Sequence, residues 1–410
     1  MRSRLTLNGL VAGLQTLFIC MTLYAGENGI MGYASEKMAL AIFFSIIGLY
    51  LTKWRIYTNR KFKSLILLVG IMFIDVVYSY FHSYAPQVTY SYLIRFAFVF
   101  AFVFVCYDTR YLLKLTDYLQ NLGVFIAVAY IVTWPFMGHN AGIYMNYQYT
   151  GQMASFATAF TIPKLFSKEY KFGTEMTKLL IILLAILITG KRTLFVIPIL
   201  MVFVVMALSD DYKKYRKIFI LGIVAIAGVG VLSVVMPSAL NSITRLMETK
   251  NDTSMSSRAY FWEYAMMLWS NNKLHGIGFG CFPEHIATGG VNLAKYHYIQ
   301  AWSAHNIYYQ MLAEIGTIGT AIFCTVFVIG IIYTLYLLKK TQKLKLECYS
   351  RIAMIALYCQ LWFVIYGFTG NPLYLPGQFF IEFFGLVLIS SIRNEWDFII
   401  EENSYLESEL

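Results

Sequence analysis

Apolar runs long enough to cross a membrane recur along almost the whole chain. A bilayer core needs about 20 apolar residues per helix. The pattern predicts about twelve transmembrane helices, near residues 8–25, 38–53, 64–82, 88–107, 119–138, 149–166, 174–190, 193–209, 217–236, 305–338, 351–369 and 374–392. We therefore expect an all-α polytopic membrane protein in which residues 1–410 form a single membrane domain.

Two of these runs have informative lengths. As a single helix, Leu179–Met206 would be roughly 42 Å long, which is too long for one crossing. The sequence therefore predicts two helices joined by a tight turn at Thr189–Thr193. The run at 305–338 is also too long for one span, so its first turns should lie outside the membrane or tilt.

Composition supports the membrane class. The chain is 59% hydrophobic and 13% charged, with a mean hydropathy of +0.60, whereas soluble domains carry roughly 25% charged residues. No cleavable signal peptide is evident, because Leu10–Ala25 serves equally well as a first span.

The distribution of Lys and Arg predicts the orientation. If the N-terminus is cytoplasmic, 23 of the 32 basic residues face the cytoplasm, eight face outward and Arg95 lies within a span. Both termini are then cytoplasmic, and residues 237–304 form a large extracytoplasmic loop with amphipathic helices, one of them over the aromatic stretch Tyr260–Trp269. The net charge of +10 follows from this topology and requires no nucleic acid. No GxxxxGK[ST] loop is present, which argues against ATP-driven transport.

Three of the eight outward-facing cations are candidates for a functional role. Lys191 and Arg192 lie at the outward turn between two apolar runs, and Arg258 precedes the aromatic stretch. Such residues can bind an anion at the outer membrane face. Alternatively, Lys191 and Arg192 extend along the membrane interface, and Arg258 is an ordinary loop arginine.

A histidine lies at the junction of the large loop and the next apolar run. His305-Asn306 is followed, after nine residues, by Gly316 and Gly319. Histidine gains or loses a proton near neutrality, so His305 is a candidate for proton transfer at the membrane surface. The alternative is an interfacial histidine with satisfied hydrogen bonds. The two glycines allow close helix packing.

Other polar positions have weaker signals. Asp75, Arg95 and Glu382 fall inside spans, and Asp75 could pair with Arg95 either structurally or functionally. The run Gly276–Gly280 is interpreted as a turn. Cys281 is the only cysteine expected outside, so no exterior intrachain disulfide can form and its thiol should be accessible.

One stretch resembles a known family. It contains Arg258, Trp262, the turn at 274–280, His305-Asn306, Gly316 and Gly319, and it resembles the shared domain of the bacterial O-antigen ligase and O-antigen polymerase superfamily over about residues 179–337. The resemblance matches His305 to the family's essential histidine. It matches Arg192 to an arginine at the outer end of a mid-chain helix, and Arg258 to the arginine that opens the main helix of the loop. Lys191 would be an auxiliary, and Asn306, Gly316 and Gly319 a structural motif.

The resemblance implies a reaction. An oligosaccharide would be transferred from undecaprenyl diphosphate to an acceptor hydroxyl, with inversion at the anomeric carbon. His305 would act as the base, and Arg192, Arg258 and Lys191 would bind the diphosphate. We expect no cofactor and no metal, since no exterior pair of carboxylates is present.

Several functions remain open. We favour a polymerase of O-antigen, capsule or exopolysaccharide in the bacterial cytoplasmic (inner) membrane, with its active site facing the periplasm or exterior. Its partners would be the lipid-linked oligosaccharide, membrane lipid and a chain-length regulator. The alternatives are a ligase acting on a lipid core or protein, and a flippase of lipid-linked glycans, which would favour paired repeats that are not evident. A non-catalytic scaffold would leave Arg192 and Arg258 unexplained.

Overall fold

The structure is a computed structural model that describes residues 63–103, 109–235, 253–288 and 303–396. Within these ranges it is helical and contains no strand, so the all-α prediction is confirmed there. The predicted spans at 8–25 and 38–53 lie outside the described residues.

Twelve α-helices and one short 3-10 helix (Gly138–Asn140) make up the described part of the chain. They are α1 Lys63–Phe81, α2 Pro86–Val103, α3 Thr109–Met137, α4 Tyr147–Leu165, α5 Phe172–Ile188, α6 Arg192–Leu208, α7 Lys214–Val235, α8 Thr253–Asn271, α9 Phe282–Thr288, α10 Ile307–Lys343, α11 Glu347–Gly367 and α12 Pro376–Asn394. Ten of them coincide with predicted apolar spans, while α8 and α9 lie within residues 237–304.

The helices have the character of a membrane protein. Within the described ranges, Leu112–Asn140, Ile307–Lys343 and Glu347–Gly367 are long and apolar enough to cross a membrane, and Leu67–Phe81 and Arg192–Leu208 are shorter apolar helices. Helix α7 also exposes large apolar side chains that soluble proteins rarely leave in water. Phe219, Ile226 and Val234 are 69%, 76% and 81% exposed. The chain is therefore a membrane protein, and the full set of twelve crossings stays a prediction.

The predicted break between α5 and α6 is present. Helix α5 ends at Ile188, Gly190 adopts a positive φ of 73°, and Lys191 is extended before α6 begins. The Gly190 N–H donates to the Leu187 carbonyl at 3.0 Å, which closes the end of α5.

The described residues divide into two compact units. Unit 1 contains α3 to α7 and residues 334–362 of α10 and α11. Its central helix is α4, whose residues from Tyr149 to Leu165 are buried. The indole N–H of Trp362 donates to Ser155 on α4 at 3.0 Å, and Tyr358 shares a hydrogen bond with Thr158. Small polar residues on α4 thus form hydrogen bonds with the polar atoms of large aromatic side chains.

A charged network joins three helices of unit 1. Lys164 of α4 is 1% exposed, and its ammonium pairs with Asp117 of α3 and donates to Gln120 at 2.6 Å. Gln120 in turn donates to Glu175 of α5. The Lys164 side chain is buried within unit 1. A buried charge needs such partners, because its desolvation is otherwise strongly unfavourable.

Unit 2 contains α1, α2, α8, α9 and α12, with residues 307–333 of α10 and 363–367 of α11. An aromatic cluster joins three of these helices. Phe96 of α2 lies 5.9 Å from Phe323 of α10, and 5.3 and 6.0 Å from Phe379 and Phe383 of α12, measured between ring centroids.

Helix α10 is broken at Gly316, which has a φ of 63° and a ψ of −166°. The break accounts for the excess length of the apolar run, because residues 307–315 and 317–343 form separate helical segments. The carbonyls of Ala313 and Glu314 are left without their helical partners. They accept hydrogen bonds from the Ile277 and Gly278 N–H groups at 3.0 and 2.8 Å.

The two glycines of the motif therefore act differently. A Cβ on Gly319 would lie 2.5 Å from a carboxylate oxygen of Asp75, so Gly319 does allow α1 to approach α10 closely. Gly316 instead interrupts the helix and receives the turn at 273–280. A Cβ on Gly316 would lie 2.5 Å from the His275 nitrogen, and one on Gly276 would lie 2.6 Å from the Ile315 nitrogen.

We expect Gly316→Ala to lower the midpoint of thermal unfolding of the detergent-solubilised protein. The φ of 63° and ψ of −166° lie in a region essentially restricted to glycine, which costs alanine about 1–3 kcal/mol. The added methyl group also clashes with the backbone of the turn. The matched control is Gly222→Ala in α7, where a Cβ meets nothing within 4 Å. That change should leave the midpoint unchanged or raise it. Equal midpoints for the two variants would show that the break does not depend on glycine.

Candidate active site

His305 lies immediately before α10, in a left-handed backbone conformation with a φ of 51°. Histidine adopts this conformation more readily than most residues, but the strain still amounts to about 1–3 kcal/mol. The following residue holds the position. The Asn306 side-chain oxygen accepts from the N–H groups of Tyr308 and Tyr309 at 3.0 and 3.3 Å, and so caps α10. The half-exposed His305 side chain is therefore presented at the mouth of a capped helix.

The residue on the other side of His305 is fixed as well. The Ala304 N–H donates to the Gln310 side-chain oxygen at 3.1 Å, and the Ala304 carbonyl accepts from the Trp262 indole at 2.9 Å. The Trp262 ring also stacks on Tyr309, with 5.5 Å between centroids. Helix α8 therefore packs directly against the segment that carries His305.

Arg258 lies on α8 four residues before Trp262, and therefore on the same face of the helix. The side chains of both residues are partly exposed. Because Trp262 contacts Ala304 and Tyr309, this face of α8 is the one turned toward the His305 segment. In unit 2, the face of α8 that carries Arg258 therefore lies against the segment that carries His305.

Lys191 and Arg192 belong to unit 1, whereas Arg258 and His305 belong to unit 2. Arg192 is the first residue of α6, and Lys191 immediately precedes it. The Lys191 ammonium lies 5.0 Å from the centre of the Tyr147 ring, within range of a cation–π interaction. A helix N-terminus carries partial positive charge, so the two side chains and the backbone here have the same electrostatic preference for an anion.

Sequence analysis missed a buried carboxylate beneath the His305 segment. Glu314 is fully buried. One of its oxygens accepts from the Gly280 N–H at 2.7 Å, and the other accepts from the Phe282 N–H and the Gln310 amide, both at 2.9 Å. Three donors thus satisfy a carboxyl group that has no access to water.

Gln310 links this carboxylate to the candidate base. Its amide donates to Glu314, while its oxygen accepts from the Ala304 N–H next to His305. The glycine turn and the His305 segment therefore share one buried hydrogen-bond network. The available signal was a Gln and a Glu four residues apart in an apolar run, a spacing that allows a direct contact on a helix.

His285, also in unit 2, contacts two tyrosine side chains. The His285 Nδ1 atom lies 2.9 Å from the Tyr264 hydroxyl, and its ring lies 4.6 Å from that of Tyr84. Burial lowers the pKa of His285, so it is neutral at pH 7. Burial also raises the pKa of Tyr264, so the tyrosine keeps its proton. A neutral imidazole can accept a proton, so His285 is a second candidate for the base. The spacing of residues in the sequence did not single it out.

The remaining predicted positions have different outcomes. Glu382 is fully buried, and neither carboxylate oxygen has a hydrogen-bond partner among the described residues. The side chain of Arg95 lies outside the described residues, so its pairing with Asp75 stays a prediction. The expected accessibility of Cys281 is wrong, because its side chain is buried and its sulfur lies 3.1 Å from the Ser83 hydroxyl. Across the described ranges, no three His, Cys, Asp or Glu side chains are grouped to hold a metal ion.

Comparison with known families agrees with the resemblance. Residues 178–324 match the family model described as O-Antigen ligase. This match confirms the resemblance to the O-antigen ligase and polymerase superfamily over a region that includes Lys191, Arg192, Arg258 and His305. It points to glycan transfer of the ligase or polymerase type. No curated protein matches the chain.

We expect Glu314→Gln to loosen the glycine turn. The new amide nitrogen cannot accept a hydrogen bond, so one backbone donor in the turn loses its partner. A buried donor left without a partner costs about 1–3 kcal/mol. Amide hydrogen exchange across residues 276–288 should therefore become roughly tenfold faster or more. Glu284→Gln, an exposed change in α9, is the control and should leave exchange unchanged. Unchanged exchange in Glu314→Gln would mean that the carboxylate does not hold the turn.

Proposed function

We propose that this protein is a membrane glycosyltransferase that polymerises oligosaccharide repeat units linked to undecaprenyl diphosphate. The product would be O-antigen, capsule or exopolysaccharide, and the reaction would be inverting and independent of metal. The observation that carries the proposal is the placement of His305. It lies in a strained position between the Asn306 cap and the Trp262 contact, within the region that matches the ligase family.

The proposed reaction is a single displacement. His305 accepts the proton of an acceptor hydroxyl as its oxygen forms a bond to the anomeric carbon of the donor glycan. The bond from that carbon to the diphosphate oxygen breaks, and its electron pair remains on the leaving undecaprenyl diphosphate. Attack from the opposite face inverts the anomeric centre. A positioned base with a pKa near the working pH contributes about 10²–10⁴-fold to such a step.

Cations complete the chemistry. Negative charge grows on the diphosphate as the glycosidic bond breaks, and a guanidinium can stabilise it with two parallel, charge-assisted hydrogen bonds. Arg258 suits this role because its helix face adjoins the His305 segment. Arg192 is assigned the same role from its place in the sequence pattern, and Lys191 is assigned as an auxiliary.

The hydrogen-bond network explains how His305 would be held ready for reaction. Asn306 fixes the start of α10, Gln310 fixes Ala304, and Glu314 fixes Gln310. A base whose backbone is fixed on both sides reaches its substrate with little further ordering, which is the main benefit of a preformed site.

The alternative acceptor is a lipid core or a protein, which would make the chain a ligase. The matching family is described as O-Antigen ligase, and the match is compatible with either acceptor. Purified protein given only the lipid-linked donor distinguishes the two, since a polymerase extends one donor on another whereas a ligase requires a separate acceptor. A flippase would carry its binding site near the bilayer midplane on broken helices, whereas Lys191, Arg192 and His305 lie at helix ends.

We expect the location to be the bacterial cytoplasmic (inner) membrane, with both termini cytoplasmic and the His305 site facing the periplasm or exterior. A chain-length regulator is the expected protein partner for the polymerase.

We expect His305→Asn to lower the rate of transfer from purified lipid-linked donor by about 10²–10⁴-fold, because the proposed base is lost. Asparagine tolerates the left-handed backbone, so membrane insertion and protein level should be preserved. His285→Asn is the matched control and should keep most of the activity. Activity of the unmodified enzyme should persist in excess EDTA. A fully active His305→Asn variant, or loss of activity only in His285→Asn, would reject His305 as the base.

We expect Arg192→Lys to be nearly as defective as Arg192→Ala, with rates lower by about 10²-fold. Lysine keeps the charge but cannot form the planar two-donor contact with a diphosphate. The control is Arg216→Lys, an exposed position in α7 on the predicted cytoplasmic side, which should remain active. Full activity of Arg192→Lys would reduce the role of Arg192 to general electrostatic attraction.

Accessibility to a membrane-impermeant thiol reagent tests the orientation. A Thr288→Cys variant should react in intact spheroplasts, whereas Lys345→Cys should react only after the membrane is permeabilised. Both positions are exposed, and the native Cys281 is buried, so it should contribute little labelling. Labelling of Lys345→Cys alone in intact spheroplasts would reverse the topology and place the His305 site in the cytoplasm.

A further inference from the structure

Unit 1 contains a cavity of ≈ 410 Å³ that the proposed transfer reaction does not use. It lies where three helix connections meet, those between α4 and α5, α6 and α7, and α10 and α11. Lys168, Ser209, Lys345 and Arg351 contribute to its polar lining. Its volume is in the range of sites that hold small molecules and lipid headgroups.

Arg351 is the most informative residue of the lining. Its side chain is about nine-tenths buried, pairs with Glu169 and lies with its guanidinium carbon 4.7 Å from the centre of the Tyr170 ring. Its Nε–H has no hydrogen-bond partner among the described residues. A buried charged donor without an acceptor is unfavourable. The unpaired Nε–H of Arg351 therefore indicates that a ligand supplies the acceptor.

The acids of the cavity are largely neutralised by protein groups. A carboxylate oxygen of Asp211 lies 2.6 Å from the Lys217 ammonium, and the other accepts from the Lys213 N–H at 2.9 Å. Burial opposes ionisation of Asp211, but these two hydrogen bonds lower its pKa overall, so it is charged and paired. Glu347 lies 3.6 Å from the Lys168 ammonium. Asp210 is exposed. Arg351 is paired with Glu169, but its Nε–H has no partner among the described residues, and Lys345 adds a second cation to the lining.

The rest of the lining and the predicted topology suggest the source of the anion. Phe166, Val205 and Met354 form apolar wall beside the charged residues. The distribution of Lys and Arg predicts that all three connections face the cytoplasm. The cytoplasmic leaflet carries anionic lipid, and basic pockets between membrane helices on that side bind phosphate headgroups.

We propose that this cavity binds the phosphate ester group of an anionic phospholipid, with Arg351 and Lys345 as its cationic contacts. The apolar wall takes the first part of the acyl chains. The lipid then ties together the three connections of unit 1 at the cytoplasmic surface, independently of glycan transfer.

Native mass spectrometry of the purified full chain tests the proposal. Dioctanoyl phosphatidylglycerol is titrated against the protein in detergent, with dioctanoyl phosphatidylcholine as the zwitterionic comparison. We expect one saturable site for phosphatidylglycerol and weaker binding of phosphatidylcholine. Arg351→Gln should raise the dissociation constant about tenfold or more, as expected for a lost charge-assisted hydrogen bond. Lys345→Gln should raise it by a smaller factor.

Arg216→Gln is the matched control, since it removes the same charge from an exposed position outside the cavity. If Arg351→Gln fails to fold, the double variant Lys168→Gln/Lys345→Gln changes only exposed residues and carries the same test. Equal loss of binding in Arg216→Gln and the cavity variants, or equal binding of the two lipids, overturns the proposal. Competition by glycerol 3-phosphate at concentrations similar to the lipid would retain a phosphate site but overturn the lipid as its source.

Discussion

The carboxylate of Glu314 must be satisfied without water, and the arrangement of unit 2 around His305 depends on this requirement. A buried carboxylate is strongly destabilising unless donors surround it. Here the donors are two N–H groups of the segment after the glycine turn, Gly280 and Phe282, and the amide of Gln310. The carboxylate thereby fixes a segment more than 30 residues earlier in the chain against the first turns of α10. Removing it would leave buried donors on both sides of this contact.

The break at Gly316 belongs to the same arrangement. A broken helix exposes carbonyls that an apolar environment cannot satisfy, so another part of the protein must do so. The turn supplies Ile277 and Gly278 for the carbonyls of Ala313 and Glu314, and Thr317 returns a bond from its own N–H to the Lys273 carbonyl at 2.8 Å. The backbone groups left unpaired by the turn and by the helix break thus form hydrogen bonds with each other. The short helical segment at 307–315 is held in place, and with it His305 at its start.

Sequence reasoning succeeded where the signal is local. Apolar runs predicted ten of the observed helices, and a length argument predicted the break before Arg192, because run length and helix geometry are properties of adjacent residues. It failed where partners are distant. The two backbone donors to Glu314 lie 32 and 34 residues away, so the four-residue spacing from Gln310 could not reveal the full set of its partners. Cys281 was expected to be accessible because its loop is exterior, but its sulfur lies against Ser83, which is 198 residues away. Burial within a loop is set by tertiary packing.

The comparison of His285 with His305 shows how tertiary packing can separate a structural histidine from a chemical one. His285 contacts Tyr264 and Tyr84, and its neighbours Phe282 and Ile286 belong to the apolar core of the loop. Its ring completes an aromatic cluster, and burial lowers its pKa, both of which suit a neutral packing residue. Both histidines are partly exposed, and His305 differs in that the surrounding hydrogen bonds fix its backbone through Ala304 and Asn306. A strained backbone such as that of His305 persists only where neighbouring contacts hold it in place. The network that ends at Glu314 supplies that surrounding order, which supports His305 as the proposed base.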